Sequence, residues 1–336
     1  MNKKRIIIAF CVLLLLLAGT AFAGVVLGSI RISAGEVLRI LTGHMTEGTH
    51  ANIILNIRLP RALAAIILGG ALALSGYLLQ TFFGNPIVGP FVLGISSGAK
   101  LTVAVCMIFF LKAGRNISAI GMVFAAFAGA MAAMGFVLLL SVKIKSMSLL
   151  VVCGIMVGYI CSAVTDLLVT FADDSSIVNL HNWSMGSLSG INMRDVSIMT
   201  VVIFLCLFCT LLLSKPIGAY RLGEGYAKNM GVNITMLRVF LILLSSLLAA
   251  CVTAFAGPIS FVGIATPHLV KNIMKTTKPL VMIPGVFFFG AVITLFCDGI
   301  ARTVFAPTEV SISSVTAVLL VPVVIFMMVQ RRKETH

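Results

Sequence analysis

Long apolar runs, broken by short clusters of Gly, Pro and charged residues, extend from one end of the chain to the other. A helix crossing the ~30 Å hydrocarbon core of a bilayer needs about 20 consecutive apolar residues. By that measure the pattern predicts ten membrane helices, near 6–28, 62–82, 93–111, 118–140, 149–171, 196–214, 235–255, 258–270, 281–303 and 311–329. The eighth is too short to cross as a straight helix. It opens at Gly257-Pro258 and contains Pro267, which marks it as a broken or half-span. Two polar stretches are long enough to hold structure of their own. Residues 29–57 contain Ser33-Ala-Gly-Glu-Val-Leu-Arg-Ile-Leu, which predicts a capped, short amphipathic helix. Residues 172–195 contain the only tryptophan, Trp183, which reads as an interface anchor at a helix edge. A weak internal symmetry is present too. A span headed by Arg61 runs into Asn85-Pro86, and one headed by Arg238 runs into Gly257-Pro258. The two run in opposite directions, and proline-interrupted spans in inverted halves are a transporter pattern.

Composition agrees with the pattern. The 336 residues are 60% hydrophobic and only 10% charged, where a soluble domain carries roughly 25%. At this length the chain is a single membrane-spanning domain, 1–336, with no room for a large soluble one. The formal net charge of +14 would suggest nucleic acid for a soluble protein, but here the cations sit in short clusters between apolar runs. With a cytoplasmic N-terminus, the inside segments hold 15 Lys and Arg and the outside segments 8, leaving Lys100 at a helix start. That bias predicts both termini in the cytoplasm, an even number of spans, and no nucleic-acid partner. The N-terminus has two readings. Lys3-Lys4-Arg5, an apolar stretch and Ala21-Phe22-Ala23 resemble a cleavable signal, while an apolar run from Ile6 to about Leu27 is long enough to be a retained helix. The number of spans that follow favours retention. The eight cysteines all lie in apolar runs. Cys206 and Cys209 have redox or metal spacing but no second pair or nearby His, so helix packing explains them.

Four segments carry a family resemblance. Arg58-Leu-Pro-Arg61-Ala-Leu-Ala-Ala opens the second span, which continues through Gly70-Ala-Leu-Ala-Leu-Ser-Gly76-Tyr-Leu-Leu-Gln80. Gly84-Asn-Pro-Ile-Val-Gly-Pro-Phe-Val-Leu-Gly-Ile-Ser-Ser-Gly98-Ala99 follows, then Leu222-Gly-Glu-Gly-Tyr-Ala-Lys-Asn-Met-Gly231. The fourth is Gly257-Pro-Ile-Ser-Phe-Val-Gly263 with Pro267-His268 after it. Together they resemble the FecCD-type permeases, ABC importer subunits for iron-siderophore, haem and cobalamin. The resemblance implies an all-α polytopic fold of about ten transmembrane helices with inverted-repeat character, working as a dimer with a second permease copy or homologue. It implies two cytoplasmic ABC ATPase subunits, an extracytoplasmic substrate-binding protein, and the cell inner membrane as location. ATP is then used by a partner subunit, and this chain binds no cofactor.

Site residues follow from the same resemblance. Residues 216–231 form the most polar cytoplasmic segment between spans, with Glu224 four positions before Lys228 as suits a short exposed helix. On composition alone this is a coupling element or a solvated loop; the resemblance implies coupling to the ATPase through Arg221, Gly223, Glu224, Ala227 and Gly231. Arg58 and Arg61 at the outer edge of span two read as snorkelling cations, and Arg302 as an i, i+4 partner for Asp298. The resemblance implies instead that all three dock carboxylates of the binding protein, as water-facing cations. Gly154, Gly158 and Ser162 in span five line up small residues at four-residue spacing, a packing row. The resemblance places that helix on the translocation pathway, with Ser146, Met147 and Ser148 at the cytoplasmic gate. One departure stands out: the family pattern Glu-Leu-Pro-x-Gly reads here Glu309-Val-Ser-Ile-Ser313, so the outer turn differs.

Other chemistries lack their residues. Gly94-Ile-Ser-Ser-Gly98-Ala-Lys100-Leu101 has the wrong spacing for a phosphate loop, and no Ser or Thr follows the lysine, so the chain is not an ATPase. His268 after a proline reads as a structural or interface residue rather than a ligand. Asp166 and Asp298 stand apart from any second acid or His in sequence, poor material for a proton relay in an ion-coupled transporter. No paired constellation supports an intramembrane enzyme or a metal site. The reading is therefore an importer permease, with an iron-siderophore ahead of haem and cobalamin as cargo.

Overall fold

The computed structural model describes residues 3–28, 30–45, 47–91, 93–112, 119–144 and 146–334. Arg115 and Lys145, counted above in the charge bias, lie outside them. In chain order the helices are α1 (Lys3–Val26), α2 (Ala34–Leu41), α3 (Thr49–Ile53), a π-helical turn (Ile54–Arg58) and α4 (Leu59–Phe83). Then come α5 (Ile95–Lys112), α6 (Ala119–Lys143), α7 (Met147–Thr170), α8 (Asp174–Ser184) and α9 (Met193–Leu212). The chain continues through α10 (Ser214–Tyr220), α11 (Glu224–Asn229), α12 (Ile234–Ala256), α13 (Val262–Met274), α14 (Pro279–Thr303) and α15 (Ile312–Glu334). The described residues contain no strand. Each predicted span contains one helix. Among the described residues eight helical stretches are long and apolar enough to cross a bilayer; the apolar part of α5, Ile95–Phe109, and α13 are shorter. We call the end of the bundle where α1 begins proximal and the end where it finishes distal.

α4 is the axis of the bundle. In its most apolar window 89% of residues are buried, against 56% for α14, 17% for α7 and 6% for α1. A membrane offers little hydrophobic drive between helices, so association depends on close van der Waals contact and on small residues that permit it. α4 supplies these. A Cβ on Gly69 would overlap Thr294 and the Gly290 carbonyl of α14, and one on Gly76 would overlap the Gly263 carbonyl of α13. Between them Ser75 Oγ donates to the Ser245 carbonyl of α12 at 2.8 Å. α12 and α4 run in opposite directions.

α13 is the half-span. It has 13 residues, enough for ~20 Å, and starts from Phe261 in the left-handed region (φ 64°). Pro267 lacks the N–H that would bond the carbonyl four residues earlier. Gln80 of α4 supplies a substitute: its Nε2 lies 3.4 Å from Gly263 O and 3.1 Å from Ile264 O. A polar side chain on the axis thus satisfies backbone that a bilayer would leave bare.

The polar stretches are structured as well. Ser33 Oγ accepts the Glu36 N–H at 3.3 Å and caps α2, which buries Val37 and Ile40. Residues 172–195 hold α8, and Trp183 is partly exposed and packs against the core. The loop after it is fixed where the Ser187 N–H donates to Ala256 O at 2.8 Å. The eight cysteines are free thiols, with Cys206, Cys251 and Cys297 buried.

The close crossing makes a direct prediction. Gly76→Ala puts a methyl where Gly263 O stands and should destabilise by ~1–3 kcal/mol, lowering the melting temperature in detergent. Gly135→Ala meets open space and should stay within about 0.5 kcal/mol of wild type. Equal melting of the two variants would contradict the packing at Gly76.

Candidate functional site

At the distal end, residues far apart in sequence build a buried charged joint. Arg58 closes the π-helical turn and points back to α1, donating from Nη1 to Val25 O at 3.0 Å and Val26 O at 2.6 Å. Its Nη2 donates to Ile30 O. Arg302, in the last turn of α14, donates from Nη2 to Gly24 O at 2.9 Å. The last carbonyls of a helix lack intrahelical partners and carry its negative dipole end, so two guanidiniums complete the end of α1. Arg61, in the first turn of α4, bridges two acids. Its Nε and Nη2 lie 3.0 Å from Asp298 Oδ1, and its Nη1 lies 3.0 Å from both Glu309 carboxylate oxygens. Asp298 Oδ2 is in turn 3.1 Å from Arg302 Nε, an ion pair whose angle does not make a hydrogen bond. Three guanidiniums therefore face two carboxylates, and the joint keeps one net positive charge.

The joint corrects one expectation and bears out another. Arg58, Arg61 and Arg302 are 5%, 7% and 7% exposed, so they are not water-facing cations in this chain. The reason is the supply of acceptors: the end of α1 and Asp298 offer oxygens on the inner side, and the guanidiniums turn there. Asp298 pairs with Arg302 as the i, i+4 spacing suggests, is 1% exposed, and is shared with Arg61. Glu309, side chain 45% exposed, is the member of the joint that reaches water.

At the proximal end, residues 216–231 hold the last turns of α10 and all of α11. Gly223 (φ 124°) and Gly231 (φ 81°) flank α11 in backbone conformations that favour glycine. Tyr220, Arg221 and Glu224 reach back to the bundle, while Lys228 and Asn229 are exposed. Arg221 Nη1 donates to Tyr77 Oη at 3.2 Å and Thr277 O at 3.3 Å, with its guanidinium 5.7 Å over the Tyr77 ring. Tyr220 Oη lies 3.3 Å from Phe82 O and 3.2 Å from Glu224 Oε1. Burial pushes the Tyr220 phenol above its ordinary pKa, which keeps the proton it donates. Glu224 pairs with Arg238 at the start of α12, where the sequence spacing suggests Lys228. Ala227 is fully buried. Facing outward are Leu222, Tyr226 and Met230, 71%, 50% and 61% exposed, an apolar ridge at four-residue spacing. Sequence reasoning singles out the polar residues of this segment and misses the ridge, although the spacing is readable.

On α7 the small-residue row packs inside the chain. Gly154 lies against Leu93 and Gly158 against Gly94, and Ser162 Oγ donates to Ser97 Oγ of α5 at 3.4 Å. The opposite face, with Met156, Tyr159, Ile160, Asp166 and Leu167, is exposed. Ser146 Oγ accepts the Leu149 N–H at 3.4 Å and caps α7, so Met147 and Ser148 form its first turn at the proximal end. Among the described residues no three His, Cys, Asp or Glu side chains cluster as a metal site would.

The two acids of the joint differ in burial, which separates their effects. Asp298→Asn leaves two buried guanidiniums short of a counter-charge and should destabilise by ~3–5 kcal/mol. Glu309→Gln removes a half-exposed partner and should change stability by about 0–1 kcal/mol. Thermal unfolding of the purified variants checks the order; a larger loss for Glu309→Gln would contradict the joint.

Comparison with known proteins places the chain. The FecCD transport family matches residues 11–330. The hemin transport system permease protein HmuU of Yersinia pestis is 30% identical over 99% of this chain and 98% of its own length. The vitamin B12 import system permease protein BtuC of Vibrio parahaemolyticus is 33% identical over 91% of each chain. A solved structure described as an inward-facing metal-chelate type ABC transporter superposes with a TM-score of 0.83 at 30% identity, over 95% of this chain and 99% of that one. An all-helical membrane bundle matched along almost its whole length in this way belongs to the FecCD transport family.

Proposed function

We propose that this chain is the membrane permease subunit of an ATP-driven importer for a metal chelate of the iron-siderophore type. The observation that carries the reading is α11. It presents an apolar ridge outward while Tyr220, Arg221 and Glu224 fasten it to α4 and α12 from behind. An exposed apolar ridge of this kind is a docking surface, and a rigid attachment lets movement of a partner reach the membrane helices. The partner is a separate ABC ATPase subunit, since the sequence has no phosphate loop of its own.

The proximal end is cytoplasmic on this reading, because most of the basic residues gather there, and both termini lie on that side of the inner membrane. All ten long helices, including the half-span α13, then sit in or across the bilayer. The distal end receives the extracytoplasmic binding protein. Its net positive joint and the exposed Arg31, Arg39 and Arg194 draw an acidic partner over about a Debye length, ~8 Å at physiological salt. Partner carboxylates reach the buried Arg61 on the side that Glu309 holds. The exposed face of α7, rather than its glycine row, meets a second permease copy or homologue and lines the pathway. The hemin and vitamin B12 relatives make haem or cobalamin the alternative cargo, carried by the same mechanism.

The ridge gives the test. Tyr226→Asp and Met230→Asp should each weaken association with the ATPase subunit at least tenfold in a pull-down from reconstituted membranes. Chelate uptake should fall with it, while membrane insertion and melting stay unchanged. The exposed Lys215→Gln should match wild type. Full ATPase binding by both ridge variants would show that α11 is only a solvated loop.

A further inference from the structure

A cavity of about 420 Å³ opens at the proximal end, between the last turns of α4, the second half of α13, the first residue of α7 and the joint between α10 and α11. Its size falls in the ~300–1,000 Å³ range of small-molecule sites. Its lining combines two kinds of side chain. Arg221, Lys271 and His268 are polar; Phe83, Met147 and Met282 are apolar.

The charge of the wall sets the class of ligand. Glu224 is the carboxylate in the lining, and it is already engaged by Arg238 and by Tyr220 Oη. Arg221 donates to neutral acceptors, Tyr77 Oη and Thr277 O, and no described carboxylate lies in ion-pair range of it. Lys271 adds a second formal positive charge. A guanidinium with donors to spare and an ammonium in one lining fit a phosphate, which takes several charge-assisted hydrogen bonds at once. Basic pockets between membrane helices on the cytoplasmic side take phosphate head groups, and the apolar side chains accommodate an attached chain or ring. We infer that this cavity is a binding site for a phosphate-type anion bearing an apolar group, anchored by Arg221 and Lys271. Either an anionic phospholipid or a soluble cytoplasmic organophosphate has that chemistry. The occupant touches the α10–α11 joint, α13 and Met147 of α7, so it ties together the elements between the docking ridge and the first turn of α7. The inference needs neither the cargo nor the ATPase, and its test uses the permease alone.

The full-length permease, purified in non-ionic detergent, is titrated with dioctanoyl phosphatidylglycerol, with phenyl phosphate, and with zwitterionic dioctanoyl phosphatidylcholine as a control. Native mass spectrometry and thermal shift read binding. One molecule of phosphatidylglycerol or of phenyl phosphate should bind per chain and raise the melting temperature, with at least tenfold weaker binding to Lys271→Gln and to Arg221→Gln/Lys271→Gln. The exposed Lys278→Gln, outside the lining, should bind as wild type does. Whichever probe saturates identifies the source, and saturation by both leaves the site a general phosphate site. Two results would overturn the inference: neither anionic probe saturates, or Lys271→Gln binds both with wild-type affinity. The single variant keeps the test valid should the double one fail to fold, because Lys271 is exposed.

Discussion

Backbone-to-backbone contact along α4 is the constraint on which the rest of the structure depends. Gly69 against Gly290 and Gly76 against Gly263 bring three helices closer than any side chain would allow. In a bilayer, where apolar surface gains little by leaving lipid, that closeness is the main source of cohesion. Further features follow from it. The half-span α13 can stop short of crossing because α4 holds its first turn and Gln80 reaches the Gly263 carbonyl that Pro267 leaves open. α1 packs along α14, with Leu13 buried in the core, and is also tied at both ends. Arg5 donates to Ile273 O at 3.0 Å at one end, and Arg58 and Arg302 complete its last carbonyls at the other.

The same axis carries the chemistry at both ends. Its first turn places Arg61 between Asp298 and Glu309, and its last turns offer Tyr77 and Phe82 to the segment before α11. A helix of 25 residues spans ~38 Å, about the thickness of the membrane. α4 is thus a rigid frame between the apolar ridge and the charged joint, and the elements free to move are those that touch it little, α7 among them. That division of labour suits a transporter, in which ridge and joint stay in register while pathway helices change position.

What was legible in the sequence follows the range of the interactions. Apolar runs gave each long helix, because span length is a local property, and Gly257-Pro258 with Pro267 marked the half-span. The Ser33 cap was legible for the same reason. The joint was not, because its acceptors are distant: Arg61 meets Asp298 and Glu309 across 237 and 248 positions. Only the Arg302–Asp298 pair, at i, i+4 spacing, was readable; without the distant partners Arg58 and Arg61 look like free cations. Local spacing also misled at Glu224, where Arg238 lies fourteen positions on and wins over Lys228 because α12 folds back beside α11. The glycine row of α7 was rightly a packing row, but only tertiary structure shows that Leu93, Gly94 and the start of α5 fill it. The ridge of Leu222, Tyr226 and Met230 was present in the spacing and hidden by the polar residues around it.

The rigidity of α4 is the central claim, and pulsed electron-electron resonance tests it most directly. Spin labels at the exposed Ile57 and Leu222 mark the two ends of the frame, and a label at the exposed Tyr159 of α7 pairs with Leu222 in a second sample. Both are measured in the reconstituted importer, nucleotide-free and trapped with ATP. A rigid axis predicts an unchanged 57–222 distance in the two states and a shifted 159–222 distance. A 57–222 distance that moves as much as the one to α7 would contradict it.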